Sequence, residues 1–68
     1  MFDALKMLIL ERVREKMAQN PKQLCVDLLE CCKDLGSGNN LHAAGEELIA
    51  EGLLVDCRRG VRLLVSLP

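Results

Sequence analysis

Aromatic residues are almost absent from this 68-residue chain: Phe2 stands alone, and there is no Trp or Tyr. Half of the residues are nonetheless hydrophobic, so the core must be built from Leu, Val, Ile, Met, Ala and Cys. A chain of this length buries only about 60% of the surface that it exposes when unfolded. We therefore predict a single domain over residues 1–68 whose thin aliphatic core gains stability by association, for example as a homodimer.

The chain also lacks a strong net charge and a long apolar run. Its formal charge is −1, which excludes a nonspecific nucleic-acid coat but not a local basic patch. Asp3 and Lys6 interrupt the apolar first residues, and no small-residue cleavage site follows them. We expect neither a signal peptide nor a membrane span, and we expect a cytoplasmic protein.

The CxxC spacing of zinc sites is missing, although the chain has four cysteines. The candidate soft ligands are spread over three predicted elements: Cys25, Cys31, Cys32, Cys57 and His42. Reduced cysteines that serve as small hydrophobic residues are the favoured interpretation, with a structural metal or iron–sulfur site as the alternative. Because the sequence has no catalytic triad or phosphate loop, we predict no enzymatic activity, cofactor or small-molecule substrate.

Three stretches have helical periodicity, and the one that begins at Asn20-Pro21 has the clearest start. One helix is predicted from Asp3, as its N-cap, to about Ala18. Its inward stripe consists of Phe2, Leu5, Ile9, Val13 and Met17. A second stretch predicts a helix from about Asn40 to Glu51 that stops at Gly52. The residues it is expected to bury are Leu41, Ala44, Leu48 and Ile49.

Between these stretches lies another predicted helix, which begins at the Asn20-Pro21 pair and runs to Leu35. Asn20 is the expected N-cap, and Gly36 is the expected left-handed C-cap. The expected inward stripe consists of Leu24, Leu28, Cys31, Cys32 and Leu35. In the last predicted helix, Gly45 costs about 1 kcal/mol relative to Ala, and a close helix crossing would explain it.

The tail of the chain changes from helical to alternating periodicity. Two strands are predicted, over residues 53–57 and 61–67, with Arg59-Gly60 as the turn between them. The expected apolar face consists of Leu53, Val55, Cys57, Val61, Leu63, Val65 and Leu67. The sequence therefore predicts a β-hairpin with an arginine-rich tip.

The order of predicted elements resembles that of the winged helix-turn-helix family. It consists of two helices, a short Gly/Asn turn, a helix that ends in Glu51-Gly52-Leu53-Leu54, and an Arg-Arg-Gly hairpin. The resemblance in layout covers nearly the full chain. It implies an α+β, mainly α, fold of three helices with a C-terminal two-stranded β-hairpin wing. It also implies that the third helix enters the DNA major groove while the wing touches the backbone or minor groove. Most members bind double-stranded DNA, but a sizeable minority are protein-interaction modules.

The DNA interpretation predicts a small transcriptional regulator. Asn and His side chains at the start of the third helix would read bases, and Lys and Arg side chains would hold phosphates. The predicted DNA contacts are Lys22, Asn39, Asn40, His42, Arg58, Arg59 and Arg62. Against this interpretation, residues 37–52 contain three Glu and no Lys or Arg, and carboxylates oppose the approach of phosphates.

The alternative function is a protein–protein interaction module or assembly factor that does not bind DNA. It requires apolar side chains that point outward into a dimer or partner interface. The predicted contacts are Met7, Leu54 and Leu64. The sequence leaves both functions open.

Overall fold

The computed structural model describes residues 2–58 and 60–68, and within them the chain forms three helices and one three-stranded antiparallel sheet. The helices are α1 (Asp3–Gln19), α2 (Leu28–Cys31) and α3 (Gly38–Ala50). The strands are β1 (Val26–Asp27), β2 (Val55–Asp56) and β3 (Leu64–Ser66). The α+β class is confirmed, and none of the helices described has the length and apolarity that a membrane span requires.

The helices α1 and α3 confirm two of the three helix predictions. Ile9 and Val13 of α1 are fully buried, and so are the predicted inward residues Leu41, Ala44 and Leu48 of α3. The helix starts differ from the prediction. Asp3 is the first residue of α1 rather than its cap, because Phe2 precedes it with a left-handed φ of 58°. The start of α3 is two residues earlier than predicted, since the Ser37 hydroxyl accepts the Asn40 amide at 3.2 Å.

The predicted helix from Pro21 to Leu35 is wrong. Asn20 ends α1 instead of starting a new helix: its side-chain Nδ2 and its backbone amide both donate to the carbonyl of Lys16, at 3.2 and 3.1 Å. Helical backbone is confined to the four residues of α2, so Leu24 is 81% exposed rather than inward. Gly36 does not have the expected positive φ, because no helix ends immediately before it.

The strand β1 replaces the first half of that predicted helix. Val26 pairs with Val65, and Asp27 pairs with Leu64, so β3 is bonded on both of its edges in the order β1-β3-β2. A lone two-stranded hairpin is marginal in water, and a third strand that buries Val26 adds to its stability. The pairing partner lies far along the chain, which is why local periodicity favoured a helix. Asp27 then caps α2 by accepting the Glu30 amide at 3.4 Å.

The hairpin is shorter than predicted, and its first strand presents the opposite face. Leu54, predicted to point outward, is only 2% exposed, whereas Val55 is 42% exposed. Gly52, with a φ of 77°, reverses the chain after α3 so that the Leu54 amide reaches the carbonyl of Leu48 at 3.3 Å. A shift of one residue exchanges the two faces of a strand, so Leu54 belongs to the core.

Among the glycines of the described residues, Gly45, in the middle of α3, has the closest neighbours. A β-carbon at this position would lie 3.0 Å from Leu28 Cδ1 and 3.2 Å from Leu63 Cδ2. Leu28 is fully buried and Leu63 is 2% exposed, so neither side chain has free space beside it. The glycine therefore marks a close crossing, as predicted, where α3 meets both α2 and the residue that precedes β3.

We expect Gly45→Ala to destabilise the protein by about 1 kcal/mol. Overpacking at this position costs about 1–3 kcal/mol, and the higher helix propensity of Ala offsets about 1 kcal/mol of that cost. The control is Gly38→Ala, also in α3, where nothing lies within 4 Å of the added carbon. Urea denaturation measures both variants. A Gly45→Ala variant that is as stable as Gly38→Ala would contradict a tight crossing.

Candidate functional site

The predicted DNA-contacting residues do not form one continuous surface of free polar groups. Asn39 and Asn40 are exposed in the first turn of α3, and Lys22 is exposed in the turn that follows α1. The side chain of Arg62 is 75% exposed, with Nη1 3.7 Å from Asp27 Oδ2. Arg59, also predicted to contact DNA, lies outside the described residues. Lys22, Asn39, Asn40 and Arg62 are accessible to solvent. The ring nitrogens of His42 are covered, and the Arg58 guanidinium is paired within the molecule.

Arg58 is engaged within the molecule. Its guanidinium forms an ion pair with Glu46 of α3 and lies 3.5 Å from Asp56 Oδ2, while its backbone amide donates to Asp56 Oδ1 at 2.8 Å. The hydrogen bond to Glu46 raises the pKa of Arg58, with smaller contributions from Asp56. A guanidinium held in this way ties the hairpin to α3, and a phosphate would have to compete with two carboxylates for it.

His42 is shielded rather than presented. Less than 1 Å² of either ring nitrogen is accessible, and neither nitrogen has a hydrogen-bond partner in the described structure. A base edge cannot reach nitrogens that are covered by the protein. Buried polar atoms without partners lower stability, because water that bonded them in the unfolded chain is lost. The predicted role of His42 in base readout therefore has no support in this geometry.

Lys6 is a site residue that sequence reasoning missed. It lies on α1 with only 9% of its surface exposed, and its Nζ is 2.6 Å from Glu51 Oε2 and 3.6 Å from Glu47 Oε1. The hydrogen bond with Glu51 raises the pKa of Lys6, opposed by partial burial. Its spacing was a usable signal, since Lys6 stands four residues after Phe2 and three before Ile9, within the inward stripe of α1.

An apolar groove lies beside Lys6, between α1 and the C-terminal end of α3. Its volume is about 330 Å³, and its apolar walls come from Met7, Leu10, Leu48 and Leu53. Met7 is 73% exposed and Leu53 is 42% exposed. We call this feature the α1–α3 groove. It contains Met7, one of the predicted partner contacts.

A second apolar surface covers the solvent side of the sheet. The register places Val55 opposite Ser66, and the Cys57 amide donates to the Leu64 carbonyl at 2.8 Å, so these side chains share the face away from the core. Leu24, Cys25, Cys57 and Leu64 line a shallow depression on this face, together with Asp56 and Arg58. We call it the outer sheet face. It contains Leu64, another predicted partner contact.

On the side of α1 away from the α1–α3 groove, Arg12 links the helix to the segment between α2 and α3. Arg12 donates through Nη1 to the Cys31 carbonyl at 3.0 Å and to Asp34 Oδ1 at 2.9 Å, and through Nη2 to Asp34 Oδ2 at 3.1 Å. The hydrogen bond from Arg12 lowers the pKa of Asp34. This bidentate pair ties α1 to the segment between α2 and α3.

The cysteines do not converge on a common point. Cys25 and Cys57 line the outer sheet face, while Cys32 is fully buried in the core, and no disulfide joins any of the four cysteines. Among residues 2–58 and 60–68, no three His, Cys, Asp or Glu side chains are grouped as metal ligands. Burial raises the pKa of Cys32 to about 12, with a further contribution from the adjacent Cys31.

Comparisons of the chain with protein-family profiles, with curated protein sequences and with solved structures found no match. The function of this chain must therefore be inferred from its own geometry. That geometry consists of two apolar surfaces, an α3 whose glutamates are paired with cations from other elements, and a few exposed polar groups.

We expect His42→Leu to stabilise the protein by about 1 kcal/mol, because it removes two shielded polar atoms that lack partners. His42→Gln, which keeps polar atoms at the position, is the control and should not stabilise. Urea denaturation of the three proteins checks this expectation. A loss of stability in His42→Leu would mean that the imidazole has a polar partner in solution.

We expect Cys32 to be the slowest of the cysteines to react with iodoacetamide at pH 8, because only the thiolate attacks and the Cys32 thiol is both buried and of raised pKa. Partly exposed Cys25 is the internal reference within the same sample. Peptide mass mapping, with and without urea, measures the two rates. Equal native-state rates would contradict the burial of Cys32.

Proposed function

We propose that this chain is a small protein-interaction domain. The observation that carries the proposal is the exposure of large apolar side chains on a domain of this size. Among the described residues, those side chains are Met7, Leu8, Leu24, Leu53, Val55 and Val61. Met7 and Leu53 line the α1–α3 groove, and Leu24 and Val55 lie on the outer sheet face. Exposed apolar residues without a binding role are usually scattered singly.

Charge placement supports the same function. The two glutamates of α3 and its C-cap residue Glu51 have intramolecular partners. Glu46 pairs with Arg58, while Glu47 and Glu51 pair with Lys6. Arg58, one of the three hairpin arginines predicted to contact DNA, is thereby paired within the molecule. The face of α3 that a DNA reader would insert into the major groove contains no Lys or Arg to replace it.

We also propose that the fold is a winged-helix variant. Three helices followed by a C-terminal hairpin agree with the layout that the sequence resemblance implies, although α2 is short and β1 adds a third strand. The pairing of Arg58 with Glu46 holds the hairpin against α3. In this variant the wing and the third helix form one rigid unit that supports the outer sheet face.

DNA binding is the second candidate function, favoured by one observation. Asn39 and Asn40 are exposed side by side in the first turn of α3, where polar side chains of a recognition helix meet base edges. Exposed Lys22 and Arg62 would be the phosphate contacts. DNA binding of this kind would depend on few cations, so the affinity for DNA would be low and would fall strongly as salt rises.

A photo-crosslinking residue placed at position 7, 24 or 39 separates the two functions in cells that produce the protein. We expect discrete protein adducts at position 7 or 24, because these side chains are 73% and 81% exposed on apolar surfaces. Position 19, an exposed polar residue at the end of α1, is the matched control. The readout is denaturing gel electrophoresis and mass spectrometry of the adducts.

The DNA candidate predicts a different outcome in the same experiment. Nuclease-sensitive adducts at position 39, with nothing at position 7 or 24 above the level at position 19, would overturn the protein-interaction function and favour DNA. Adducts at position 24 alone would retain the proposed function and assign it to the outer sheet face.

A further inference from the structure

The α1–α3 groove has the shape and lining of a site for an apolar helix face. It runs between two helices, and its walls are flexible or branched aliphatic side chains: Met7, Leu10 and Leu53, with buried Leu48 beneath. Methionine adapts its shape to different apolar partners. A groove between helices accepts the apolar ridge of an amphipathic helix, whose contacting residues recur every three or four positions.

The rim of the groove is acidic. Asp3 is exposed, and the side chains of Glu47 and Glu51 are 38% and 47% exposed. The one cation among them, Lys6, has only 11% of its side chain exposed and points at the two glutamates. Asp3, Glu51 and Lys6 line the groove, and Glu47 lies beside them with Oε1 3.6 Å from Lys6 Nζ. These three carboxylates and one ammonium give the cluster a net charge of −2.

We propose that the α1–α3 groove binds an amphipathic helix of a partner protein whose apolar ridge is flanked by Lys and Arg. The apolar ridge would cover Met7 and Leu53, and the flanking cations would lie against Asp3, Glu47 and Glu51. This inference rests on the proposed function and specifies one of its two apolar surfaces. An acidic helix would place like charges against the rim carboxylates, and a neutral helix would cover them with apolar surface. Both cases disfavour binding.

The probe for this site is a synthetic peptide of about 18 residues, long enough to hold helical structure, with leucines along one face and lysines on the rest. Two peptides serve as controls: one of the same composition with its leucines scattered around the helix, and one with glutamate in place of lysine. Fluorescence anisotropy measures the binding of each peptide to the full 68-residue chain at low and moderate salt.

We expect the amphipathic Leu/Lys peptide to bind at least about tenfold more tightly than either control, with affinity that falls as salt rises. Met7→Lys and Leu53→Lys should each weaken it about tenfold, because each removes an apolar contact and adds a repelling charge. Val61→Lys makes the same charge change at a side chain that is fully exposed in the hairpin, and it should leave affinity within about twofold. Circular dichroism checks that all three variants fold.

Two results would overturn this inference. If the scattered peptide binds as well as the amphipathic one, or if Val61→Lys weakens binding as much as Met7→Lys, the attraction is only that of an acidic protein for a basic peptide. If sedimentation equilibrium shows a dimer that Met7→Lys abolishes, the occupant is a second copy of this chain. In either case crosslinks at position 24 would still support the proposed function, so the two failures are distinguishable.

Discussion

The contact of Gly45 with Leu28 and Leu63 is the constraint on which the rest of the domain depends. It brings the middle of α3 against the first residue of α2 and against the residue that leads into β3. The Leu28 amide also donates to the Leu63 carbonyl at 3.0 Å, so α2 and the hairpin are joined by backbone at the same point. A side chain larger than hydrogen at position 45 would crowd the Leu28 and Leu63 side chains together with α3 itself.

Ion pairs also link α3 to its neighbouring elements, in addition to this close packing. Lys6 joins α1 to the end of α3, and Arg58 joins the hairpin to the middle of α3. These links add contacts between α3 and two other elements, although partly exposed ion pairs contribute little to stability. They also explain the charge pattern at α3, because Glu46, Glu47 and the C-cap residue Glu51 all pair with cations of the same molecule. The side chains of Glu47 and Glu51 nevertheless stay 38% and 47% exposed.

The sequence predicted much of α1 and α3 because the residues that define each of these helices lie within the helix itself or next to it. Apolar residues at helical spacing and a stopping glycine lie within the elements that they define, and Ile9, Val13 and Leu48 are buried as their spacing predicts. The segment that contains β1 gave a false helix signal. Its strand pairs with residues almost forty positions away, and Val26 opposite Val65 cannot be inferred from either segment alone.

The sequence by itself determined the α+β class, two of the three helices, the hairpin and the burial of an aliphatic core. Only the tertiary structure decided which side chains are free to bind. Gly52 turned Leu54 inward, the packing of α3 covered the nitrogens of His42, and ion pairing occupied Arg58. The physical reason is that periodicity records which face of an element is apolar, whereas exposure and pairing depend on neighbours that are distant along the chain.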